Sequence, residues 1–266
     1  MKLGIQLLSI FSFCIGIYIF LQSELNYDKR LPIDNSTFNS RSTPDDSFLT
    51  TPLCLVYFQD VSKSIKLNGV VLIKSNVFTP YYNDFNRDIE LNFGIISDLS
   101  ANKLLSVILP AKKFHKPVLP DLRKVNIVER KDAKQRFLTD LKTYQSDSAA
   151  FFYERNKLFT SFCYQIDSSI AVHRNNLANE TDIATTVRIA DKVFNHSFFD
   201  SAKNFLLLNS DGEDSYGKTT SNIQSHMELI LINASGLEHT SLDSLITHTF
   251  QSSEQAIHYT LKTNSH

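Results

Sequence analysis

The sequence has few of the features that identify disulfide-rich, nucleic-acid-binding or zinc proteins. Only three cysteines occur in 266 residues, which excludes a small fold held together mainly by disulfides. Basic and acidic side chains number 27 and 28, so no overall field favours nucleic acid. Neither an H-E-x-x-H zinc motif nor a G-x-S-x-G hydrolase motif is present. We therefore predict no metal site and no nucleic-acid partner, and catalytic residues stay unknown.

One long uncharged stretch is present, and it lies at the N-terminus. Residues 3–21 carry no charge, and a helix of that length just crosses a hydrocarbon core, at about 1.5 Å per residue against roughly 30 Å. Lys2 precedes the stretch, and a basic charge at that end favours a cytosolic N-terminus. We predict a signal anchor over residues 1–21, a single-pass membrane protein and a lumenal C-terminus. The alternative is a cleaved signal peptide, which would make the chain secreted.

Two further features favour localisation to the secretory pathway. Asn-x-Ser/Thr acceptors for N-glycosylation occur four times outside the apolar stretch, at Asn35, Asn179, Asn195 and Asn233. Cys14 lies within the stretch, which leaves Cys54 and Cys163 in an oxidising compartment. We predict a disulfide between these two cysteines, the alternative being two buried thiols that behave as small hydrophobic side chains.

The remaining chain changes character at about residue 53. Residues 22–52 are polar and interrupted, and we interpret them as a stem that spaces the folded part from the membrane. Beyond them, short apolar runs rich in β-branched residues predict strands. These runs cover residues 54–58, 70–73, 89–96, 104–109, 125–128, 149–153, 205–208 and 229–232. Segment 53–120 contains no helical pattern, and we expect a β-rich segment of hairpins or meanders there.

Amphipathic stretches lie between the later runs. Residues 132–143 carry apolar side chains at helical spacing, and Thr181 can cap a helix whose apolar stripe extends over residues 183–194. The order strand, helix, strand, helix, strand from residue 125 to residue 208 is typical of βαβ units on a parallel sheet. We predict an α/β fold, with a Rossmann-like parallel-sheet lobe over residues 121–266.

Parts of this lobe resemble a known glycosyltransferase family. Lys-Val-Asn-Ile-Val at residues 124–128, a helix, and Tyr-Gln-Ser-Asp-Ser-Ala-Ala-Phe-Phe-Tyr at residues 144–153 resemble the opening of an exostosin-type glycosyltransferase domain. Residues 198–209 resemble a later segment of that domain in layout. The resemblance covers residues 121–236 and implies one half of a two-lobed enzyme fold in the Golgi or ER membrane.

The resemblance implies an exostosin-like glycosyltransferase of the Golgi or ER lumen, or a truncated or accessory member, in proteoglycan or glycoprotein glycan synthesis. A nucleotide sugar would be the donor, a glycan or proteoglycan the acceptor, and a related glycosyltransferase a partner; no other cofactor is evident. The family's second, donor-binding lobe has no counterpart before His266, so enzymatic activity stays open. The alternative function is a non-enzymatic secretory-pathway glycoprotein that acts as a binding or interaction module.

A phosphate-binding pattern occurs once. Residues 212–219 satisfy G-x-x-x-x-G-K-[ST] after a predicted strand. Asp211, Glu213 and Asp214 would oppose phosphate oxygens at that place, and we therefore interpret the segment as an acidic, solvent-exposed turn. The same three carboxylates are hard-oxygen ligands that can bind a cation, although such a turn is usually only a turn.

Basic residues are concentrated in one strip. Residues 112–136 hold nine Lys and Arg against three Asp and Glu, an excess of six. Such a strip can hold an anionic glycan or the phosphates of a sugar nucleotide. The contacts that we predict to an anionic ligand are Arg123, Lys124, Arg130 and Lys131. The alternative is a solvated helix face followed by a loop.

Overall fold

The computed structural model describes residues 51–67, 70–97, 104–174, 177–211, 226–233, 242 and 245–263. The predicted anchor, nearly all of the predicted stem, Asn35 and the phosphate-binding pattern at 212–219 lie outside these residues. All described residues fall within one compact unit, Ser47–His266. Among the helices described, none is both long enough and apolar enough to cross a bilayer.

A six-stranded, mostly parallel sheet organises this unit. Its strands are β1 (Leu53–Asp60), β2 (Ile89–Ile96), β3 (Leu105–Leu109), β4 (Lys203–Asn209), β5 (Glu228–Ile232) and β6 (Ile246–Phe250). The strand order is β3-β2-β1-β4-β5-β6. Strand β3 pairs antiparallel with β2, and the other neighbouring pairs are parallel. The predicted α/β class with a parallel sheet is therefore confirmed, and strands from both 53–120 and 121–266 build the same sheet.

Helices cover both faces of the sheet. The described residues form α1 (Ser64–Leu67), α2 (Thr79–Tyr82), α3 (Arg130–Arg174), α4 (Ile183–Asn195) and α5 (Ser253–Lys262). The second half of α3 packs with α5 on one face, and α4 packs on the other. Every residue of β1 and β2 is consequently buried, as expected for strands that are covered on both sides.

Helix α3 is 45 residues long, or about 68 Å at 1.5 Å per residue. Its buried side chains all lie in the second half, at Arg155, Phe159, Phe162, Ile166 and Ile170. These positions repeat every three or four residues and therefore form one stripe against the sheet. The first half of the helix buries no residue completely.

The first half of α3 and the chain before it form a projection, here called the arm (residues 110–151). The Arg155 guanidinium donates to the carbonyl of Pro110, and the Phe114 ring packs 5.3 Å from the Phe151 ring. At the other end, Arg130 Nε donates to the Val125 carbonyl at 3.2 Å. The chain therefore runs outward along the helix from residue 110 and turns back into the helix near residue 130.

Three of the predicted strands are wrong. Residues 70–73 are in a loop, residues 125–128 lie in the turn before α3, and residues 149–153 are inside α3. The aromatic run at 149–153 reads as a strand in isolation, but Phe151 continues the helical stripe that Arg155 and Phe159 complete. Strand β6 was not predicted, and the expected hairpin is confirmed only for β2 and β3 because β1 and β2 are parallel.

The predicted disulfide between Cys54 and Cys163 is absent from the structure. Both cysteines are free thiols, Cys54 buried and Cys163 half-buried. Cys54 packs with the cluster that contains α4, whereas Cys163 packs against the cluster that contains α5. Since the sheet separates these two clusters, the two sulfur atoms cannot approach to bonding distance.

Candidate functional site

Polar side chains converge where the direction of the sheet's connections reverses. After β1 the chain builds β2 and β3 on one side, and it returns to build β4, β5 and β6 on the other. The carboxyl ends of β1 and β4 are therefore neighbours whose connections diverge. In open α/β sheets, ligands bind in the crevice at such a point.

Two carboxylates meet at this edge. Asp60 is the last residue of β1 and is fully buried, and Asp211 follows the end of β4 and is almost completely buried. Ser210 connects them: its hydroxyl donates to Asp60 Oδ2 at 2.6 Å and lies 3.5 Å from Asp211 Oδ1. Burial raises the pKa of Asp60, and the negative charge of Asp211 adds to that rise.

Two serine hydroxyls lie on the loop that follows Asp60. The backbone N–H of Ser62 donates to Asp60 Oδ1 at 2.8 Å, which turns the chain back toward the carboxylate. Ser62 Oγ lies 2.9 Å from Ser64 Oγ, and Ser64 is the first residue of α1. The spacing Asp60-x-Ser62-x-Ser64 thus brings one carboxylate and two hydroxyls together within one turn of chain.

The loop before α4 closes the site from the side. Ala178 pairs with Ser62 in an isolated bridge, in which Lys63 N donates to the Ala178 carbonyl at 2.9 Å and Ala178 N donates to the Val61 carbonyl at 3.1 Å. Thr181, in the same loop, is 2% exposed. The helix cap is Asp182, whose carboxylate accepts from Thr185 N at 2.9 Å. The prediction that Thr181 caps this helix is therefore wrong.

The donor set suits a hard divalent cation. Carboxylate and hydroxyl oxygens are the ligands that Mg²⁺ and Ca²⁺ prefer, and the site offers them from Asp60, Ser62, Ser64 and Asp211. In the described part of the chain, no group of three or more His, Cys, Asp and Glu is arranged to hold a metal. A cation here would consequently depend on hydroxyl groups as much as on the two carboxylates.

The electrostatics of Asp60 favour a cation. Among the ion pairs of the described residues, none involves Asp60. A buried carboxylate without a positive partner is unfavourable, so it either keeps its proton or acquires a cation. The raised pKa of Asp60 and the nearby negative charge of Asp211 fit this situation, and the residues present therefore fit a bound divalent cation.

A buried amide network supports the strand ends behind the site. Gln59 Oε1 accepts from Asn209 Nδ2 at 2.8 Å and from Ile73 N at 3.2 Å. Asn209 Oδ1 accepts in turn from Asn233 Nδ2 at 2.7 Å. These contacts join the carboxyl ends of β1, β4 and β5, and they hold Asp60 and Asp211 in a defined relative position.

The sequence reasoning identified one member of this site and missed the others. Asp211 was considered as a cation ligand together with Glu213 and Asp214, which lie outside the described residues, but the segment was interpreted as an acidic turn. The prediction of no metal site did not consider the spacing Asp60-x-Ser62-x-Ser64 after the first strand, and it stays a prediction. That spacing was the available signal, because three short oxygen-bearing side chains directly after a buried strand lie at a sheet edge.

The predicted glycosylation acceptors differ in accessibility. Asn179 is exposed beside the site, where its Oδ1 accepts from Lys63 Nζ at 2.6 Å. Asn195 is exposed at the end of α4. The side chain of Asn233 is half-buried in the amide network, and a glycan on its nitrogen would disturb that network.

The predicted anionic-ligand contacts are not part of the carboxylate site. Arg123, Lys124 and Lys131 are exposed near the far end of the arm, and half-buried Arg130 donates to the Val125 carbonyl. The arm leaves the sheet after Leu109, which pairs with Ile89, the first residue of β2. The structure therefore places these four residues together, beyond the edge opposite to Asp60.

Comparison with known proteins identifies no family. No family model matches the chain, and no curated protein matches it. Among solved structures, the chain is similar to the pilus adhesin SpaC from Lactobacillus rhamnosus GG in its open conformation, with a TM-score of 0.37 and 10% identity. The similarity covers 80% of this chain but only 29% of the adhesin chain. A likeness at this level indicates neither function nor partner.

Proposed function

We propose that this chain is a binding module whose contacts with a partner depend on a divalent cation at the carboxyl edge of the sheet. This is the second of the two functions expected from the sequence, a non-enzymatic secretory-pathway glycoprotein. The observation that carries the proposal is the fully buried carboxylate of Asp60 at the switch point of the sheet, which Ser210 connects to Asp211 and which is followed by the paired hydroxyls of Ser62 and Ser64.

The proposed ligands of the cation are of two kinds, charged and neutral. Asp60 and Asp211 would supply the two negative charges, and Ser62 and Ser64 would supply neutral oxygens. Two carboxylates neutralise a divalent cation without making the site anionic, and Mg²⁺ commonly keeps coordination positions for water or for a ligand oxygen. An acidic group on the partner is the chemistry that fits such a position, because it brings a charged oxygen to the metal.

The exostosin-like glycosyltransferase stays a prediction. Two of the segments that carry the resemblance, 124–128 and 144–153, form a turn and part of α3 instead of two strands. The geometry at Asp60 and Asp211 supports cation-dependent binding more directly than it supports sugar transfer.

Water-proton relaxation with Mn²⁺ tests the proposal on the full chain. A protein-bound Mn²⁺ that keeps an exchangeable water enhances relaxation, and we expect this enhancement for the wild type. Acetate, as a simple carboxylate, should reduce the enhancement by displacing that water. The variant Asp211→Asn should show little enhancement, whereas Asp140→Asn, on the exposed first half of α3, should match the wild type.

Two results would contradict the proposal. Enhancement that is absent in the wild type, or equal in Asp211→Asn, would show that the cation does not bind at this site. A nucleotide sugar that raises the melting temperature only with Mn²⁺ present would instead favour the glycosyltransferase, since a ligand of the folded state increases its stability.

A further inference from the structure

We infer that the far end of the arm docks on a lipid bilayer that contains anionic phospholipid. The relevant part is the tip, residues 118–131, where the outgoing chain turns into α3. The inference does not depend on the cation site, because the two features lie at opposite edges of the sheet.

The tip exposes aliphatic side chains to solvent. Val118 is 87% exposed, Ile127 76% and Val128 81%, and Leu119 is half exposed. The arm's aromatic side chains, in contrast, pack on one another: the Phe114 ring lies 5.3 Å from that of Phe151 and 5.8 Å from that of Phe152. These four aliphatic side chains lie within eleven residues of the chain, and exposed apolar groups next to charged ones mark an interaction surface.

Basic side chains outnumber acidic ones in the tip, which holds Arg123, Lys124, Arg130 and Lys131 against Asp121 and Glu129. Arg123, Lys124 and Lys131 are exposed, and in the described part of the chain no ion pair involves any of them. Unpaired Lys and Arg next to exposed aliphatic side chains are the combination that binds the interface of an anionic bilayer, with the apolar groups among the acyl chains and the cations at the phosphates.

The position of the arm in the fold supports the same partner. The arm leaves the sheet at the edge where β1 and β2 begin, since Leu109 and Leu53 both pair with Ile89. Pro52 lies at this edge as well, where its carbonyl accepts from Lys203 N at 2.8 Å. Pro52, directly before β1, therefore lies at the end of the sheet that carries the arm, and the proposed cation site lies at the other end.

A bilayer explains more of the tip than a polyanion does. A sulfated or uronate-bearing glycan would use the cations but would leave Val118, Ile127 and Val128 in water. A single-stranded nucleic acid is bound largely by aromatic stacking, and the arm's Phe114 is already packed against Phe151. Only a partner with both anionic and apolar groups uses the whole surface, and a phospholipid has both.

A tryptophan probe tests the inference, because the chain contains no tryptophan. The full chain carrying Ile127→Trp is reconstituted into vesicles of phosphatidylcholine, with or without phosphatidylglycerol. With phosphatidylglycerol, we expect the emission to shift to shorter wavelength and brominated lipid to quench it. Adding Arg123→Gln, Lys124→Gln and Lys131→Gln to this variant should reduce the quenching to the level in pure phosphatidylcholine.

The matched control is Val172→Trp. Val172 is 64% exposed near the end of α3, roughly 60 Å from the tip along the helix axis. This probe should stay accessible to aqueous iodide in both kinds of vesicle. Equal iodide quenching of both probes would overturn the inference. So would an Ile127→Trp emission that responds to soluble heparin but not to phosphatidylglycerol, which would replace the bilayer by an anionic glycan.

Discussion

Asp60 is the residue on which the proposed site depends most. Its carboxyl group is fully buried, and the hydrogen bonds from Ser210 and Ser62 only partly offset the effect of burial on its pKa. A carboxyl in this position keeps its proton above the ordinary pH range of aspartate unless a cation replaces the proton. The protonation state of Asp60 and cation binding are therefore coupled.

This coupling predicts a pH dependence of stability. Without a cation, the folded state holds the Asp60 proton at pH values where the unfolded chain has released it, so the free energy of unfolding falls as the pH rises through that range. Asp60→Asn removes this fall, because an amide does not titrate. The fold should be kept, because Asn can still accept from Ser62 N and donate to Ser210 Oγ. In chelator at neutral pH, urea unfolding should find the variant more stable than the wild type. A wild-type-minus-variant difference that does not change with pH would contradict this prediction.

Arg155 is the second decisive residue, and its role is structural. Its guanidinium donates to the carbonyls of Tyr82, Pro110, Tyr81 and Asp84 and lies 5.0 Å from the centre of the Phe85 ring. These contacts fix the base of the arm to the loops around α2. Such a planar set of donors has no equivalent in lysine.

We expect Arg155→Met to lower the free energy of unfolding by about 3 kcal/mol, because several buried carbonyls lose their donor. Arg155→Lys should recover only part of this loss. Denaturant unfolding of the three proteins measures the effect, and a loss that stays within experimental error for Arg155→Met would show that water satisfies these carbonyls.

At the level of elements, the two halves of α3 differ in what their apolar stripe packs against. From Arg155 onward its apolar side chains pack on the sheet, and before Phe151 the same stripe is covered only by the outgoing chain of the arm. The second half should therefore contribute most of the stability that the helix provides, and the first half should contribute little.

Paired alanine substitutions test this division. Phe162→Ala removes a buried ring that packs 5.9 Å from the Phe78 ring, and it should cost about 3 to 5 kcal/mol. Leu138→Ala, at a position that is 47% exposed on the arm, should change the free energy of unfolding by less than about 0.5 kcal/mol. Similar losses in the two variants, measured by thermal unfolding, would mean that the arm packs as tightly as the core.

Most of the strands that the sequence predicts correctly are buried, although the partly exposed β3 was also predicted from its apolar run. Strands β1, β2, β4 and β5 are covered on both faces, so they appear as short apolar runs with an unambiguous length. Within α3, only residues 132–143 were predicted as helix and residues 149–153 were predicted as a strand, because the long, polar first half hides the continuous stripe. Strand β6 was missed because its side chains are only partly buried.

The site was less accessible to sequence reasoning than the fold. Asp60 and Ser210 are 150 residues apart in the chain, and only the strand order β2-β1-β4 brings them into contact. Asp211 could be named from its own turn, but its partner could not, because the position of β4 beside β1 depends on the packing of the whole sheet.

At the level of the whole molecule, the sheet keeps its two faces and its two edges apart. Cys54 and Cys163 lie in clusters on opposite faces, whereas the cation site and the arm lie at opposite edges. The separation of the two faces excludes a disulfide between Cys54 and Cys163. The separation of the two edges allows the cation site to bind a partner while the arm is docked on a bilayer.

The cysteines give a direct test of this arrangement. We expect both Cys54 and Cys163 to alkylate in the denatured, unreduced protein, because neither is bridged. In the native protein Cys163 should react faster, since burial raises the pKa of the Cys54 thiol far above its usual range and excludes the reagent. Mass spectrometry after alkylation measures both, and protection of the two cysteines from alkylation until a reductant is added would contradict the separation of the faces.

The most direct test of the account is a calorimetric titration of the full chain with Mg²⁺ and Mn²⁺, combined with thermal unfolding. For the wild type we predict saturable binding of one cation and a free energy of unfolding that rises by about 2.7 kcal/mol at a cation concentration of about 100 times Kd. Asp60→Asn and Asp211→Asn should abolish both effects, and Asp140→Asn should keep them. Absence of saturable binding in the wild type, or binding that survives both site substitutions, would contradict the proposed cation site.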